Sequence, residues 1–180
     1  MALPPLPGFA AAPADDDRAL AALSGIAVST LAARRQAANQ PYVAYLAAEP
    51  VACGWSASAS GQIGELGLTF VLPPGERYLW DFATLPSWRG RGIYPHPLQA
   101  ILRHDAAKHS RHWIGHDPDN VASARGILKV GFRSVGNVYR LPTGRFLLRP
   151  TGPIERARLG ADLLGATLAH SSDDETSAPG

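Results

Sequence analysis

Apolar positions change period along the chain, and each change marks an element. "RALAAL", behind Asp15 to Asp17, keeps its apolar residues at helical spacing, with acidic side chains where they suit the positive end of a helix dipole. A second helical stretch runs from about Ser29 to Ala38, beyond Gly25. From Pro41 the pattern becomes that of extended chain. "YVAYLAAEPVACGWSAS" predicts two short strands joined near Glu49 and Pro50, and "IGELGLTFVL" and "RYLWDFATL" continue in the same style, divided as a hairpin by "PPGE" at 73–76. Helical period returns in "HPLQAILRHDAAK", where Leu98, Ile101, Leu102 and Ala106 form one stripe. "HWIGH" then reads as a short strand, "NVASARGILKVG" as a helix closed by Gly131, and "FRSVGNVYRL" with "GRFLLRP" as a strand pair. "PIERARLGADLLGATLAH" predicts a last helix, free to cover the sheet or to make an oligomer contact such as a homodimer.

This order predicts an α+β or mixed α/β fold, with a sheet that is antiparallel first and includes a crossover later. With 180 residues, 46% of them hydrophobic, the chain suits one domain with a sizeable core. Residues 1–14, rich in Ala and Pro, and 171–180, "SSDDETSAPG", are expected to be mobile tails, which leaves a single domain over 15–170. No apolar run approaches the roughly 20 residues that cross a bilayer, so no membrane partner is expected. "MALPPLPGFAAAPADDD" lacks the basic start of a signal peptide, and a cytoplasmic enzyme or binding protein is the default. The single Cys53 excludes an internal disulfide framework and reads as a small buried residue.

Net charge is only +2, but it is unevenly placed. Between Arg77 and Arg149, ten Arg and two Lys face four Asp and no Glu. Such a field is either a solvated basic face or an attraction for an anionic ligand, whether phosphate, nucleotide or nucleic acid. No RNP-type aromatic motif or zinc finger accompanies it, so a nucleic-acid partner is not expected. His104, His109, His112 and His116 straddle a helix end, a loop and a strand rather than sharing one helix face, and no metal is expected from them.

Within the basic stretch, "PSWRGRGIYPHPLQAIL" places two glycines between an apolar strand and a helix. Glycine lets backbone turn sharply and approach a ligand, and a helix start offers unpaired N–H groups to phosphate oxygens. Pro95 and Pro97 suit the first turn of that helix. Neither GxGxxG nor GxxxxGK[ST] is present, so the stretch alone reads equally as a structural turn.

"LPSWRGRGIY" resembles the acyl-CoA-binding segment of the GNAT N-acetyltransferases, [QR]xxGx[GA], with Arg89 and Gly92 in place and Tyr94 where Gly or Ala is commoner. "DPDNVASARGILKVGFRSVG" is similar to the family's downstream signature, carried by Asn120, Ser123, Lys129, Gly131 and Phe132. The resemblance covers roughly residues 40 to 150. It implies a GNAT-like central mixed, mostly antiparallel sheet flanked by helices. It also implies transfer of an acetyl group from acetyl-CoA to a primary amine of a small molecule or peptide, without a metal.

Carried over, the resemblance implies a pyrophosphate cradle at Arg89, Gly90, Arg91, Gly92, Ile93 and Tyr94, and main-chain pairing of the pantetheine arm with Phe82, Ala83, Thr84 and Leu85. Asn120 is either a contact to the cofactor arm or a helix N-cap, with Ser123 next in line. A base or a desolvating pocket must remove the amine proton, and the base candidates are Glu65, in an apolar strand setting, and Asp81, on the strand leading to the turn; each equally suits a hydrogen-bonded sheet residue. The family's acid is a Tyr in the downstream helix, but that position is Ile127 here. Tyr139 and His116 stand in reserve, and a GNAT-like module that binds acyl-CoA without chemistry is the alternative function. Arg34 and Arg35 either meet an acidic acceptor or are solvated.

Overall fold

A computed structural model of the chain describes residues 2–169. The elements run β1 (Phe9–Pro13), α1 (Asp17–Ser24), α2 (Val28–Gln36), β2 (Asn39–Leu46), β3 (Glu49–Ala57), β4 (Ser60–Ile63), β5 (Leu68–Val71), β6 (Glu76–Thr84), α3 (Pro95–Asp105), β7 (Arg111–Ile114), α4 (Val121–Lys129), β8 (Gly136–Arg140), β9 (Phe146–Pro150), α5 (Ile154–Leu164) and β10 (Thr167–Leu168). They fall into two compact units, residues up to Ser60 with Leu72–Phe132, and Gly61–Val71 with the residues from Arg133 on. The fold is mixed α+β, its largest sheet mostly antiparallel and flanked by helices.

In the first unit five strands lie in the order β1-β2-β3-β6-β7. The first three junctions are antiparallel, and β6 to β7, joined through α3, is the parallel crossover. Both faces are covered, which is why β2 reads as an unbroken apolar run rather than an alternation. Val43 packs with Leu20, Leu23, Leu31 and Trp55 under α1 and α2, whereas its neighbour Tyr42 packs with Leu98, Ile101 and Ile127 of α3 and α4. Of the stripe read from the sequence, Leu98 and Ile101 are fully buried, Leu102 is half-buried and Ala106, just past the helix, is exposed. The Asp16 side chain caps α1 by accepting from the N–H groups of Arg18 and Ala19.

Three local readings are corrected. Residues 9–13 do not belong to a mobile tail: they form β1, paired with β2 from Phe9 opposite Leu46 to Pro13 opposite Tyr42. The β2–β3 connection lies at Ala47 and Ala48, both with positive φ, a two-residue primed turn before the expected Glu49 and Pro50. "PPGE" does not close a hairpin, because β5 pairs with β4 and β6 with β3 and β7. The C-terminal tail expected over 171–180 lies outside the described residues.

In the second unit β8 and β9 are antiparallel and β10 adds parallel to β9. Ala157 and Ala161 of α5 pack on Leu148 of β9. Among the described residues no helix is long and apolar enough to cross a membrane.

Candidate active site

The sheet opens within β6. Its pairing with β7 runs from Glu76 opposite Arg111 to Leu79 opposite Ile114 and stops there, while pairing with β3 continues to Thr84 opposite Ala52. The β7-facing edge of residues 80–84 therefore has no strand on it among the described residues. A bulge sharpens the opening: Trp55 faces Trp80 but Cys53 faces Ala83, so Asp81 and Phe82 together oppose Gly54. Asp81 takes the extra turn, with φ of +50°. The Phe82 ring lies where a Cβ on residue 54 would be, so Gly54 is the residue that lets it fold across β3.

Main-chain groups alternate along the opened strand. The Leu85 N–H donates to the Val51 carbonyl at 2.9 Å, which turns Leu85 and Ala83 toward β3 and leaves Phe82 and Thr84 facing the open edge. Of the four residues expected to meet the pantetheine arm, Phe82 and Thr84 turn their main-chain groups to the open edge, and Ala83 and Leu85 turn theirs to β3. The Thr84 carbonyl already accepts from Arg89 Nε at 3.0 Å, tying the first residue of the turn back to the strand.

Beyond that edge the chain makes the turn. Gly90 and Gly92 have φ of +75° and +72°, a region that strains other residues, and a Cβ on either would meet only open space. Among the described residues the N–H groups of Gly90, Arg91, Gly92, Ile93 and Tyr94 donate to no acceptor in the chain. The helix contributes less than the sequence suggests. Pro95 and Pro97 carry no N–H, and the His96 N–H is taken by the Ile93 carbonyl at 2.9 Å. The donors are those of the turn. Arg91 lies over the Trp88 ring, 4.8 Å from its centroid, and Ile93 is buried beneath.

The residues expected on the downstream helix gather around Tyr94. Asn120 accepts from the Ser123 N–H at 3.0 Å and is the N-cap of α4, so this much of its open reading is met by the capping role. Ser123 Oγ donates to the Tyr94 phenol oxygen at 3.2 Å. The Tyr94 ring is also edge-on to Phe82 at 5.8 Å, and burial pushes its phenol pKa up. Ile127 is buried in the core beside Leu98 and Ile101.

The other named groups lie in several settings. The Asp81 carboxylate, 39% exposed, is taken up by Arg34 at 2.5 Å, and the same guanidinium lies 4.5 Å over the Trp80 ring. Sequence reading set Arg34 apart from Asp81, because 47 residues of chain lie between them. Glu65 is not on a strand: it is exposed in a single 3-10 turn between β4 and β5, in the second unit. Tyr139, on β8, is exposed with Arg149 5.4 Å from its ring centroid, and belongs to the second unit too. His116 donates from Nδ1 to the Asp117 carbonyl at 2.9 Å. Burial pushes the Cys53 thiol up to about 11, which suits an inert core residue. Among the described residues no three His, Cys, Asp or Glu side chains are grouped to hold a metal ion.

The sequence matches no protein-family model and no curated protein. Solved structures match the architecture. The aminoglycoside acetyltransferase AAC(6')-Ib in complex with coenzyme A aligns with a TM-score of 0.59 at 18% identity, over 76% of this chain and 90% of its own. The ribosomal-protein-S18-alanine N-acetyltransferase from Escherichia coli gives 0.56 at 12% identity, over 77% and 88%. The chain has the GNAT acetyltransferase fold. In this chain the opened β6 edge runs directly into the glycine turn at Arg89–Tyr94, and α4 lies within Asn120–Phe132, the second segment similar to the family's motifs. A further GNAT structure, AAC(6')-Ih from Acinetobacter baumannii, gives 0.53 at 15% identity, over 74% and 97%.

Proposed function

We propose that this chain transfers an acetyl group from acetyl-CoA to a primary amine of a small molecule or peptide, by direct attack of the amine on the thioester. The observation that carries the reading is the unpaired edge of β6 running into five unpartnered amides at Gly90–Tyr94. Five N–H donors without an acceptor among the described residues, in a turn that also carries Arg89 and Arg91, suit a pyrophosphate. Bound there, acetyl-CoA supplies the activated acyl group. Phe82 and Thr84 offer main-chain groups to its pantetheine arm, and the bulge at Asp81 aims backbone where negative charge grows on the thioester oxygen. Asn120 holds the start of α4, and Ser123 orients Tyr94.

Tyr94 takes over the task left by Ile127. Ser123 donates to its oxygen, so the phenol proton is free to point elsewhere, and burial keeps it in place at neutral pH. A phenol is a weaker acid than a thiol of pKa about 8.5, so Tyr94 steadies the departing thiolate by a hydrogen bond rather than by full proton transfer. Asp81 is the proposed base: an incoming ammonium displaces Arg34 from the carboxylate and gives up one proton there, and the second proton, shed by the nitrogen after attack, passes to the departing thiolate. Glu65 and Tyr139 are given no step.

The acceptor class is also supported by the complex of AAC(6')-Ib with coenzyme A and kanamycin, 19% identical, in which a GNAT fold holds a small polyamine acceptor. Ile127 and the engaged Asp81 favour a second reading, a module that binds acyl-CoA without turnover. Release of free thiol from acetyl-CoA across a broad amine panel decides. Turnover with any amine supports the enzyme, binding without turnover supports the module, and absence of coenzyme A binding sinks both.

A further inference from the structure

At the opposite end of α3 from the glycine turn, about 16 Å along an 11-residue helix, lies a cavity of about 190 Å³. It is lined by Tyr42 of β2, Ser56 of β3, Arg77 of β6, Asp105 at the end of α3, and Lys108 and His109 just beyond. Hydrogen bonding fixes where one ring proton sits. Arg77 Nε and Nη2 lie 3.0 and 2.9 Å from His109 Nε2. A guanidinium only donates, so Nε2 accepts and the imidazole proton is on Nδ1. Burial first, then the Arg77 charge, keeps the His109 pKa below its ordinary value, so the ring stays neutral.

That Nδ1 is buried with no partner, and so is Ser56 Oγ, on a residue only 2% exposed. Buried polar atoms are nearly always hydrogen-bonded, and two orphans lining one cavity imply something that accepts from both. Asp105 does not supply it. Its buried carboxylate faces His112 Nε2 at 3.4 Å, and, second to burial, its charge helps hold the Tyr42 hydroxyl protonated. Besides Asp105, Tyr42, Gln40 and His104, the lining includes Ser56 with a hydroxyl, His109 with an imidazole N–H, Arg77 with a guanidinium and Lys108 with an ammonium. We propose that this cavity binds a small oxyanion, the size of inorganic phosphate or a short carboxylate, held by Ser56 Oγ, His109 Nδ1 and Arg77.

Calorimetric titration of the full chain with inorganic phosphate and, separately, acetate, at constant ionic strength, tests this. Saturable binding of either supports the site and names the class. Ser56→Ala and His109→Phe, each shown folded by its thermal transition, are expected to weaken it about tenfold or more, the loss of one hydrogen bond to a charged group. In the unsubstituted protein the His109 Nδ1 proton resonance shifts as the anion saturates, a readout that needs no variant. Binding is unchanged by saturating coenzyme A. The proposal fails if neither anion binds and the cavity holds ordered water only. It also fails if both variants bind normally, or if coenzyme A competes the anion away and so assigns it to the glycine turn.

Discussion

The Tyr94 ring lies over Gly126: a Cβ at position 126 would come within 2.5 Å of the Tyr94 ring. The large residue at the end of the turn and the missing side chain on α4 are one fitted pair. Gly126→Ala is therefore expected to push the ring off and to cost about 1–3 kcal/mol, as inserting a methyl into a packed contact does. Thermal unfolding measures it, and a Tyr94→Ala, Gly126→Ala double variant should recover part of the loss. Additive losses would mean that the two residues do not share the space.

Tyr94→Phe tests the proposed chemistry without moving the ring. It should lower kcat about tenfold or more, with KM for acetyl-CoA little changed, since only the phenol hydrogen bond is lost. Equal kcat in the two proteins would remove the phenol from the reaction.

Asp81→Asn keeps shape and removes the proposed base, so kcat is expected to fall by about 10²–10⁴. Stability should change little, by about 1 kcal/mol or less, because the Arg34 pair is partly solvated. A protein that unfolds readily but turns over normally once folded would make Asp81 a structural bulge residue.

Gly92→Asp puts a negative charge into the turn and forces a positive φ on a residue with a Cβ, at a cost of about 1–2 kcal/mol. Coenzyme A affinity should fall far more than that strain accounts for, and calorimetry of the folded variant reads it. Unaltered affinity would refute the cradle.

Alkaline stability follows from two buried groups. Burial first, then the Asp105 charge, pushes the Tyr42 hydroxyl up to about 12, and burial pushes the Cys53 thiol up to about 11. Both are protonated in the fold while the unfolded chain ionises them, at about 10 and 8.5 respectively. The native state then holds more protons, so stability falls as pH rises from about 8.5 toward 12. Denaturant midpoints across that range should show it, and Cys53→Ala should flatten the lower part of the slope.

Much of the first unit's architecture was legible because it rests on local pattern. The apolar stripe at Leu98 and Ile101, the Gly25 stop and the strand runs each declare themselves within a few residues, and their succession predicts a sheet that is antiparallel first with a later crossover. Relations set by distant chain were not legible. Where β6 parts from β7 depends on β7 ending at Ile114, and nothing in "WDFA" marks Asp81 as a non-glycine with φ of +50°. The Ser123 to Tyr94 bond spans 29 residues, so the sequence shows Tyr94 only as a departure from the commoner Gly or Ala, whereas in the fold it fits against Gly126 and Ser123. Ala47 and Ala48 hid a primed turn because Asn-Gly is its usual sign.

Pro95 and Pro97 have an energetic meaning apart from the donors they remove. Each fixes its own φ, so the chain just past the turn has little freedom left once the protein has folded. In the proposed cradle, a nucleotide arriving at Gly90–Tyr94 would meet backbone already held in shape, and ordering entropy that a floppy loop would surrender at each encounter would have been spent once, during folding. Affinity then resides in conformation more than in side chains, and loosening the mount at position 95 or 97 should weaken the cofactor through faster release rather than slower capture.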